Sequence, residues 1–340
     1  MKDTIKKLVE AYGPSGYEDQ TRAIIRQEIE GLADEIRVDS LGNLIARKGV
    51  AAPDGLTVML AAHMDEIGVM VSYVDDKGFA RFTTIGGVSP NTLIGNRVRF
   101  SDGTVGTVNI DEGLGAWRNR ALDITKMYID IAANTVDDAP VQVGDAAGFL
   151  RAMDEAGDRL IAKSMDDRVS CAVLIETIRQ LDARGKTPHA VYFVFSVQEE
   201  VGLKGARTSA YGIDPDLGIA VDVTRTGDTP EATPMAVALG DGPAIKIMDS
   251  GMLAHPVVKD LMIERAETAQ IPYQLEVLRA GTTDAAAIQL ARAGVPSGCL
   301  SIPTRHVHTP SEMVDLNDVR NAVKLLVEVL RQPIDLGIEL

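Results

Sequence analysis

The chain has few of the residues that would tie it to an oxidising compartment or a nucleic acid. Its 340 residues include two cysteines, Cys171 and Cys299, with no CxxC or CxxH companion. A disulfide framework and a thiolate zinc site are therefore disfavoured, and both cysteines are expected in the core. Basic residues number 34 against 49 acidic ones, giving a net charge of -15. This charge would repel nucleic-acid phosphates and an anionic membrane surface, so neither partner is expected.

Long apolar runs are also missing. No run approaches the roughly 18 residues of a membrane span. The amino-terminal segment 1–13 mixes acidic residues into an amphipathic pattern and lacks the features of a signal peptide. These absences predict a cytoplasmic protein. The length predicts about two domains, or one large domain with an insertion.

Short apolar runs that alternate with helical patterns are present instead. Residues 56–62, 191–197 and 217–221 are nearly continuous apolar stretches, typical of strands buried on both faces. Residues 166–185 and 316–331 have the apolar spacing of helices. The alternation predicts an α/β fold in which a mixed β-sheet is flanked by helices on both faces.

Residues 69–160 have a different texture. Short stretches of period-2 alternation are separated by turn sequences such as DDKG and SDGT, which favours β-hairpins over a long helix. We therefore expect a small all-β domain over 69–160, inserted between the two parts of the α/β domain, 1–68 and 161–340.

Carboxylates and imidazoles recur where the predicted strands end. Each has an ordinary structural explanation when taken singly, as a helix cap, a solvated loop pair or a turn former. Their recurrence at the carboxyl end of almost every buried strand, where α/β proteins build their sites, favours a shared function. The residues are His63, Asp65, Asp166, Asp167, Glu199, Glu200, Asp222 and His308.

Several carboxylates in one partly dehydrated cleft would repel each other unless cations compensate them. Oxygen and imidazole ligands without thiolates suit zinc, cobalt or manganese in an open catalytic site. A carboxylate that bridges two such ions would hold them roughly 3.5 to 4 Å apart, the spacing that clamps a shared water.

Six motifs together resemble one known family. They occur in the same order as in the M42 metallo-aminopeptidases, the tetrahedral or glutamyl aminopeptidase group, and the likeness extends from GPSGYE to the final helix. The motifs are HMDEIG (63–68), SMDDR (164–168), QEEVGLKGA (198–206), AVDVT (220–224), GTTDAAA (281–287) and RHVHTPSE (305–312).

The resemblance implies a zinc-peptidase-like fold and two divalent ions, zinc or cobalt. It assigns His63, Asp166 and Asp222 to one ion, and Asp166, Glu200 and His308 to the other, so that Asp166 is the bridge. The implied activity is the hydrolysis of N-terminal residues from peptide substrates.

The resemblance also makes Glu199 the general base, which takes a proton from a metal-bridging water and returns it to the leaving amine. In an extended segment neighbouring side chains point in opposite directions, so Glu200 can bind a metal while Glu199 faces the water. Asp65, two residues after His63, is expected to orient its imidazole.

The family further implies that the inserted domain is PDZ-like and serves assembly. The expected state is a homo-oligomer built from dimers, up to a tetrahedral dodecamer.

Three alternatives remain open at this point. A related metal-dependent deacylase or carboxypeptidase would use the same ligands on a different amide. An endoglucanase-type glycosidase needs two carboxylates that flank a sugar bond, which the adjacent Glu199 and Glu200 match poorly. A non-catalytic assembly protein would lack a ligand or the base, yet every expected position is filled.

Overall fold

The structure is a computed structural model of the chain. It describes residues 1–111, 122–185 and 187–337. The predicted inserted domain, 69–160, therefore includes ten residues, 112–121, that lie outside the described ones. The predicted 161–340 segment likewise includes residue 186 and residues 338–340, which also lie outside them.

Most strands belong to one large mixed sheet of eleven strands. The four central strands, in the order β12-β3-β13-β16, are parallel to one another, and antiparallel strands extend the sheet on either side. The predicted α/β fold with a mixed sheet is confirmed. The strands are β1 Glu35–Val38, β2 Leu44–Lys48, β3 Thr57–His63, β10 Asp154–Ala156, β11 Arg159–Ala162, β12 Ala190–Ser196, β13 Leu217–Thr224, β14 Ala244–Met248, β15 Gln274–Val277, β16 Ser297–Arg305 and β17 Glu312–Asp315.

Helices pack on both faces of this sheet because the central strands are apolar on both faces. Along β3, Val58 and Leu60 belong to the core shared with α1, α2, α3, α5 and α7. Met59 and Ala61 belong to a separate core shared with α4 and α6. The helices are α1 Lys2–Glu10, α2 Asp19–Ile29, α3 Met165–Arg184, α4 Lys204–Ile213, α5 Pro256–Thr268, α6 Asp284–Gln289 and α7 Leu316–Leu330.

Six further strands close into a barrel with its own apolar core. Alternation along β7 buries Val108 and exposes its neighbours, the pattern of a small barrel filled by side chains. The PDZ-like description and the exact domain boundaries stay predictions. The strands are β4 Gly68–Val74, β5 Ala80–Ile85, β6 Arg97–Phe100, β7 Val105–Ile110, β8 Met127–Asp130 and β9 Ala146–Phe149.

Two sequence expectations concern thiols and membranes. Cys171 and Cys299 are free and fully buried, as predicted. Within 1–111, 122–185 and 187–337, no helix combines the length and apolarity needed to cross a bilayer.

A buried ion-pair network lies where the chain passes between the sheet and the barrel. Glu66, on the connection from β3 to β4, accepts a hydrogen bond from Lys163 at 2.6 Å and one from Arg168 at 3.3 Å. Lys163 lies between β11 and α3, Arg168 lies in the first turns of α3, and both also donate to the carbonyl of Ala11. Burial lowers the pKa of Lys163 to about 8, although the charge of Glu66 opposes the shift. The network thus joins the connection from the sheet to the barrel with the start of α3 and the end of α1.

Replacing Lys163 with methionine should destabilise the protein by about 3 to 5 kcal/mol, because it leaves the Glu66 carboxylate buried without its closest cation. Urea unfolding measures the difference. Lys2→Met, which removes an exposed partner of Glu155, is the control and should cost at most about 1 kcal/mol. Equal losses in the two variants would contradict a stabilising role for the network.

Candidate metal centre

The carboxyl ends of the central strands bring the predicted site residues together. β3, β12 and β13 are parallel, with Ser196 opposite His63 in the ladder, so their carboxyl ends share one edge of the sheet. His63 ends β3, Asp222 lies in β13, and Asp166 with Asp167 begins α3. The remaining four follow strands: Asp65 comes after β3, Glu199 and Glu200 come after β12, and His308 lies between β16 and β17.

The Asp166 carboxylate lies between the two imidazoles. Its Oδ1 is 3.1 Å from His63 Nε2, and its Oδ2 is 3.2 Å from His308 Nε2. His308 Nε2 also lies 3.3 Å from Glu200 Oε1, and His63 Nε2 lies 4.0 Å from Asp222 Oδ1. Each oxygen of Asp166 therefore faces a different histidine, and each of these histidines lies near a further carboxylate.

Asp167 is a member of the cluster to which the sequence assigned no role. Ligand atoms of His63, Asp167 and Asp222 lie within 4.8 Å of one another, as do those of His63, Asp166 and Glu200. Asp167 Oδ2 accepts a hydrogen bond from the backbone N–H of His63 at 3.2 Å. The adjacent pair of aspartates, Asp166 and Asp167, is visible in the sequence. The sequence alone does not show whether either of them binds a metal or only caps the following helix.

The donor set fits divalent cations. Among the described residues it consists of carboxylate oxygens and imidazole nitrogens, which zinc and cobalt accept. Two of these oxygens, Glu200 Oε1 and Asp167 Oδ1, are buried without a hydrogen-bond donor. Buried charged oxygens are costly unless a cation or a donor meets them.

Comparison with models of protein families shows the family of the chain. The model of the M42 glutamyl aminopeptidase family matches residues 42–325, most of the chain. This chain belongs to the M42 family. The family predicted from the six motifs is confirmed, and the chain is a metal-dependent aminopeptidase.

Individual relatives agree with this M42 assignment. A putative aminopeptidase of Acetivibrio thermocellus is 50% identical over 97% of this chain and 98% of its own length. The solved aminopeptidase of Desulfurococcus kamchatkensis is 39% identical, with a TM-score of 0.92 over 97% of this chain and 94% of that one. The Pyrococcus horikoshii TET1 peptidase, which can assemble into a tetrahedron or a large octahedral shell, is 30% identical, with a TM-score of 0.88 over 97% and 99%.

In this M42 chain Asp65 contacts the backbone of Glu199 and Glu200 as well as the imidazole of His63. Its Oδ1 accepts from the backbone N–H of Glu199 at 3.0 Å, and its Oδ2 accepts from that of Glu200 at 3.2 Å and from Ser15. His63 Nδ1 lies 3.5 Å from the Asp65 carboxylate and 3.1 Å from its backbone carbonyl. Asp65 is therefore positioned to fix three groups of the site.

Glu312 performs the same task for the other ligands and was not assigned from the sequence. Its Oε1 accepts from the backbone N–H of His308 at 2.8 Å, and its Oε2 accepts from that of Asp166 at 2.9 Å. Glu312 is 1% exposed. It lay within the quoted motif RHVHTPSE, but the sequence does not show which main-chain groups a carboxylate reaches.

Glu199 and Glu200 do not lie in the extended backbone that the sequence argument assumed. They stand at the start of a turn after β12, in which the N–H of Gly202 donates to the carbonyl of Glu199. Glu199 Oε2 is 3.9 Å from His63 Nε2. The turn directs both side chains toward the cluster, where strand alternation would have directed them apart.

Burial and crowding dominate the electrostatics of the centre. Burial, with the neighbouring carboxylates Asp222 and Asp284, raises the pKa of Glu199 well above its usual range. Burial acts against the charge of His308, but the adjacent carboxylates of Asp166 and Glu200 prevail and raise the pKa of His308 to about 12. Since metal binding needs neutral imidazoles, cations must displace protons here, and low pH opposes their binding.

Replacing Glu312 with glutamine should weaken metal binding by about 10- to 100-fold, because an amide can accept only one of the two backbone N–H groups. Competition titration with a chelator of known affinity measures the change. Glu155→Gln, at a half-exposed position, is the matched control and should leave the affinity unchanged. Wild-type affinity in the Glu312 variant would rule out the positioning role.

Proposed function

We propose that the chain removes N-terminal residues from peptides with two divalent cations. His63, Asp166 and Asp222 would hold one ion, and Asp166, Glu200 and His308 the other. The observation that carries this proposal is the Asp166 carboxylate, which turns one oxygen to each histidine at 3.1 and 3.2 Å. Two ligands of one tetrahedral ion, each bonded at about 2.0 to 2.1 Å, stand about 3.3 Å apart.

The cations, when bound, lower the pKa of a water molecule and polarise the peptide carbonyl. Two carboxylates of the cluster lie outside both ligand sets, Glu199 and Asp167. Glu199 is the candidate for proton transfer because it lines the cavity, whereas Asp167 is fully buried and accepts a hydrogen bond from the backbone N–H of His63. Glu199 takes the proton from the attacking water and returns it to the leaving amine. Burial keeps its pKa above the ordinary carboxylate range, which suits a group that must both accept and release a proton near neutral pH.

The cavity at the centre has the size for a short stretch of peptide. Its volume is about 810 Å³, and Glu199, Asp166, Asp222 and His308 lie on its wall. The segment 277–283, which precedes α6, also lines it. The proposed ligands and the proposed base therefore share one cavity that a peptide can enter.

The nature of the donors supports zinc or cobalt, since both accept carboxylate and imidazole ligands. A glycosidase would need two carboxylates that flank a sugar bond with a free path between them. Here the carboxylates are gathered around two imidazoles, as metal ligands would be. A deacylase or carboxypeptidase differs in which end of the substrate is free, and that difference is measurable.

The first test is hydrolysis of aminoacyl anilides, free and N-acetylated, by metal-stripped protein before and after addition of Zn or Co. Free-amine substrates should be cleaved only after metal is returned. Glu199→Gln should lower kcat by about 10²- to 10⁴-fold, because the base is lost while the proposed ligands remain. Cleavage of the acetylated substrates alone would favour the deacylase, and activity that needs neither metal nor Glu199 would refute the mechanism.

We also propose that the chain assembles into a homo-oligomer built from dimers, with the PDZ-like barrel as the assembly domain and a cytoplasmic location. Its likeness to a peptidase that forms a tetrahedron or an octahedral shell supports this. Light scattering at working concentration should give the mass of twelve chains, each of 36.4 kDa. A monomer at that concentration would contradict any assembly, and a dimer would contradict the dodecamer.

A further inference from the structure

The barrel reaches the metal centre through two glycines. Gly86 and Gly87 follow β5, on the connection to β6. Val88, directly after them, is buried in the barrel core, as is Phe82 before them. The glycines are therefore anchored to the barrel, whereas every metal ligand proposed above lies in the α/β part of the chain, in strands of the large sheet, after them or at the start of α3.

Both glycines contact ligands of one ion, the one assigned to Glu200 and His308. The carbonyl oxygen of Gly87 lies 3.0 Å from His308 Nδ1. Gly86 has a φ of +73°, and a Cβ placed on it would lie 3.1 Å from Glu200 Cβ. A Cβ placed on Gly87 would lie 2.6 Å from His308 Nδ1. Only glycine fits at position 87 without moving the imidazole.

The contact with the Gly87 carbonyl determines which ring nitrogen of His308 carries the hydrogen. A carbonyl can only accept, so His308 Nδ1 must carry the hydrogen of this bond. In the neutral imidazole that binds a cation, Nε2, the nitrogen that faces Asp166 and Glu200 at 3.2 and 3.3 Å, then has the free lone pair. His63 has the equivalent contact within its own segment, through the carbonyl of Asp65.

We propose that the Gly86–Gly87 segment is a positioning element for the ion held by Glu200 and His308. The barrel thereby completes one half of the metal centre, in addition to any role in assembly. The inference rests on the two-metal function proposed above. It predicts that binding of the ion held by Glu200 and His308 needs the Gly86–Gly87 segment of the barrel, whereas binding of the ion held by His63 and Asp222 does not.

Gly87→Ala tests the proposal. Ions per chain are counted at a series of buffered free zinc concentrations, and the melting temperature of the metal-free protein is recorded. The wild type should bind two ions, and the variant should bind one normally and the other at least about 10-fold more weakly. In a His308→Ala background the same substitution should cause no further loss, because the group it acts on is gone.

Two control variants separate positioning from general damage. Gly212→Ala adds a Cβ with nothing within 4 Å and should change nothing. Gly106→Ala forces a Cβ to within 2.2 Å of Ile129 inside the barrel, so it should lower stability but keep both ions. Loss of the same ion in the Gly106 variant would show that barrel damage, and not the contact with His308, removes it.

The outcomes distinguish this inference from the function on which it rests. A wild-type protein that binds fewer than two ions would refute the two-metal proposal itself. A wild type with two ions and a Gly87 variant that holds both with unchanged affinity would overturn the positioning role alone.

If the alanine at position 87 prevents folding, Val88→Ala loosens the attachment of the two glycines to the barrel core without adding an atom near His308. Both ions at wild-type affinity in that variant would then overturn the proposal.

Discussion

Repulsion among carboxylates is the constraint on which the rest of the structure depends. Five of them, buried or nearly so, converge at the carboxyl ends of the strands within reach of two imidazoles. The carboxylates are Asp166, Asp167, Asp222, Glu199 and Glu200. Burial first, and neighbouring carboxylates second, raise the pKa values of Glu199, Asp222 and Asp167, so that without cations the arrangement is relieved by taking up protons. A rigid scaffold is needed to keep such groups together, and the doubly covered parallel strands supply it.

The scaffold holds the ligands by their main chain as much as by their side chains. Two buried carboxylates each accept two backbone N–H groups of the site: Asp65 accepts those of Glu199 and Glu200, and Glu312 accepts those of Asp166 and His308. The segments they hold lie just beyond β12, at the start of α3 and between β16 and β17, where no ladder of strand hydrogen bonds continues. The backbone N–H groups at these points need acceptors. Meeting that need with carboxylates fixes the ligand positions before any ion binds, which reduces the entropy lost on binding.

How far the sequence predicts this structure depends on the range of each interaction. The buried strands around residues 58–62, 191–196 and 217–224 were predictable because a strand covered on both faces must be apolar throughout. His63 and Asp222 were predictable because strand ends gather at one edge of a sheet. The contacts of Glu312 with Asp166 and of Gly87 with His308 were not, because the two partners lie 146 and 221 residues apart in the chain. Hydrophobic periodicity reports which face of an element is buried, but it carries no information about which distant group a polar atom meets.

Buried carboxylates outside the metal centre have lysine or arginine partners. Glu66 has Lys163 and Arg168 within ion-pair distance, and Glu276 has Lys246 at 2.7 Å. Across the described parts of the chain, the carboxylates of the metal centre have no lysine or arginine within 4.0 Å, and within that distance histidine is their only partner of opposite charge. The charge of Lys246 acts on Asp222 from farther away. A lysine in the centre would neutralise it permanently and would fill the space that a water and a peptide carbonyl must enter. An exchangeable cation neutralises the same charge and leaves coordination positions open. Since no lysine or arginine neutralises these carboxylates at close range, a bound cation is what would neutralise them, while Asp65 and Glu312 keep the backbone of the site in place without it.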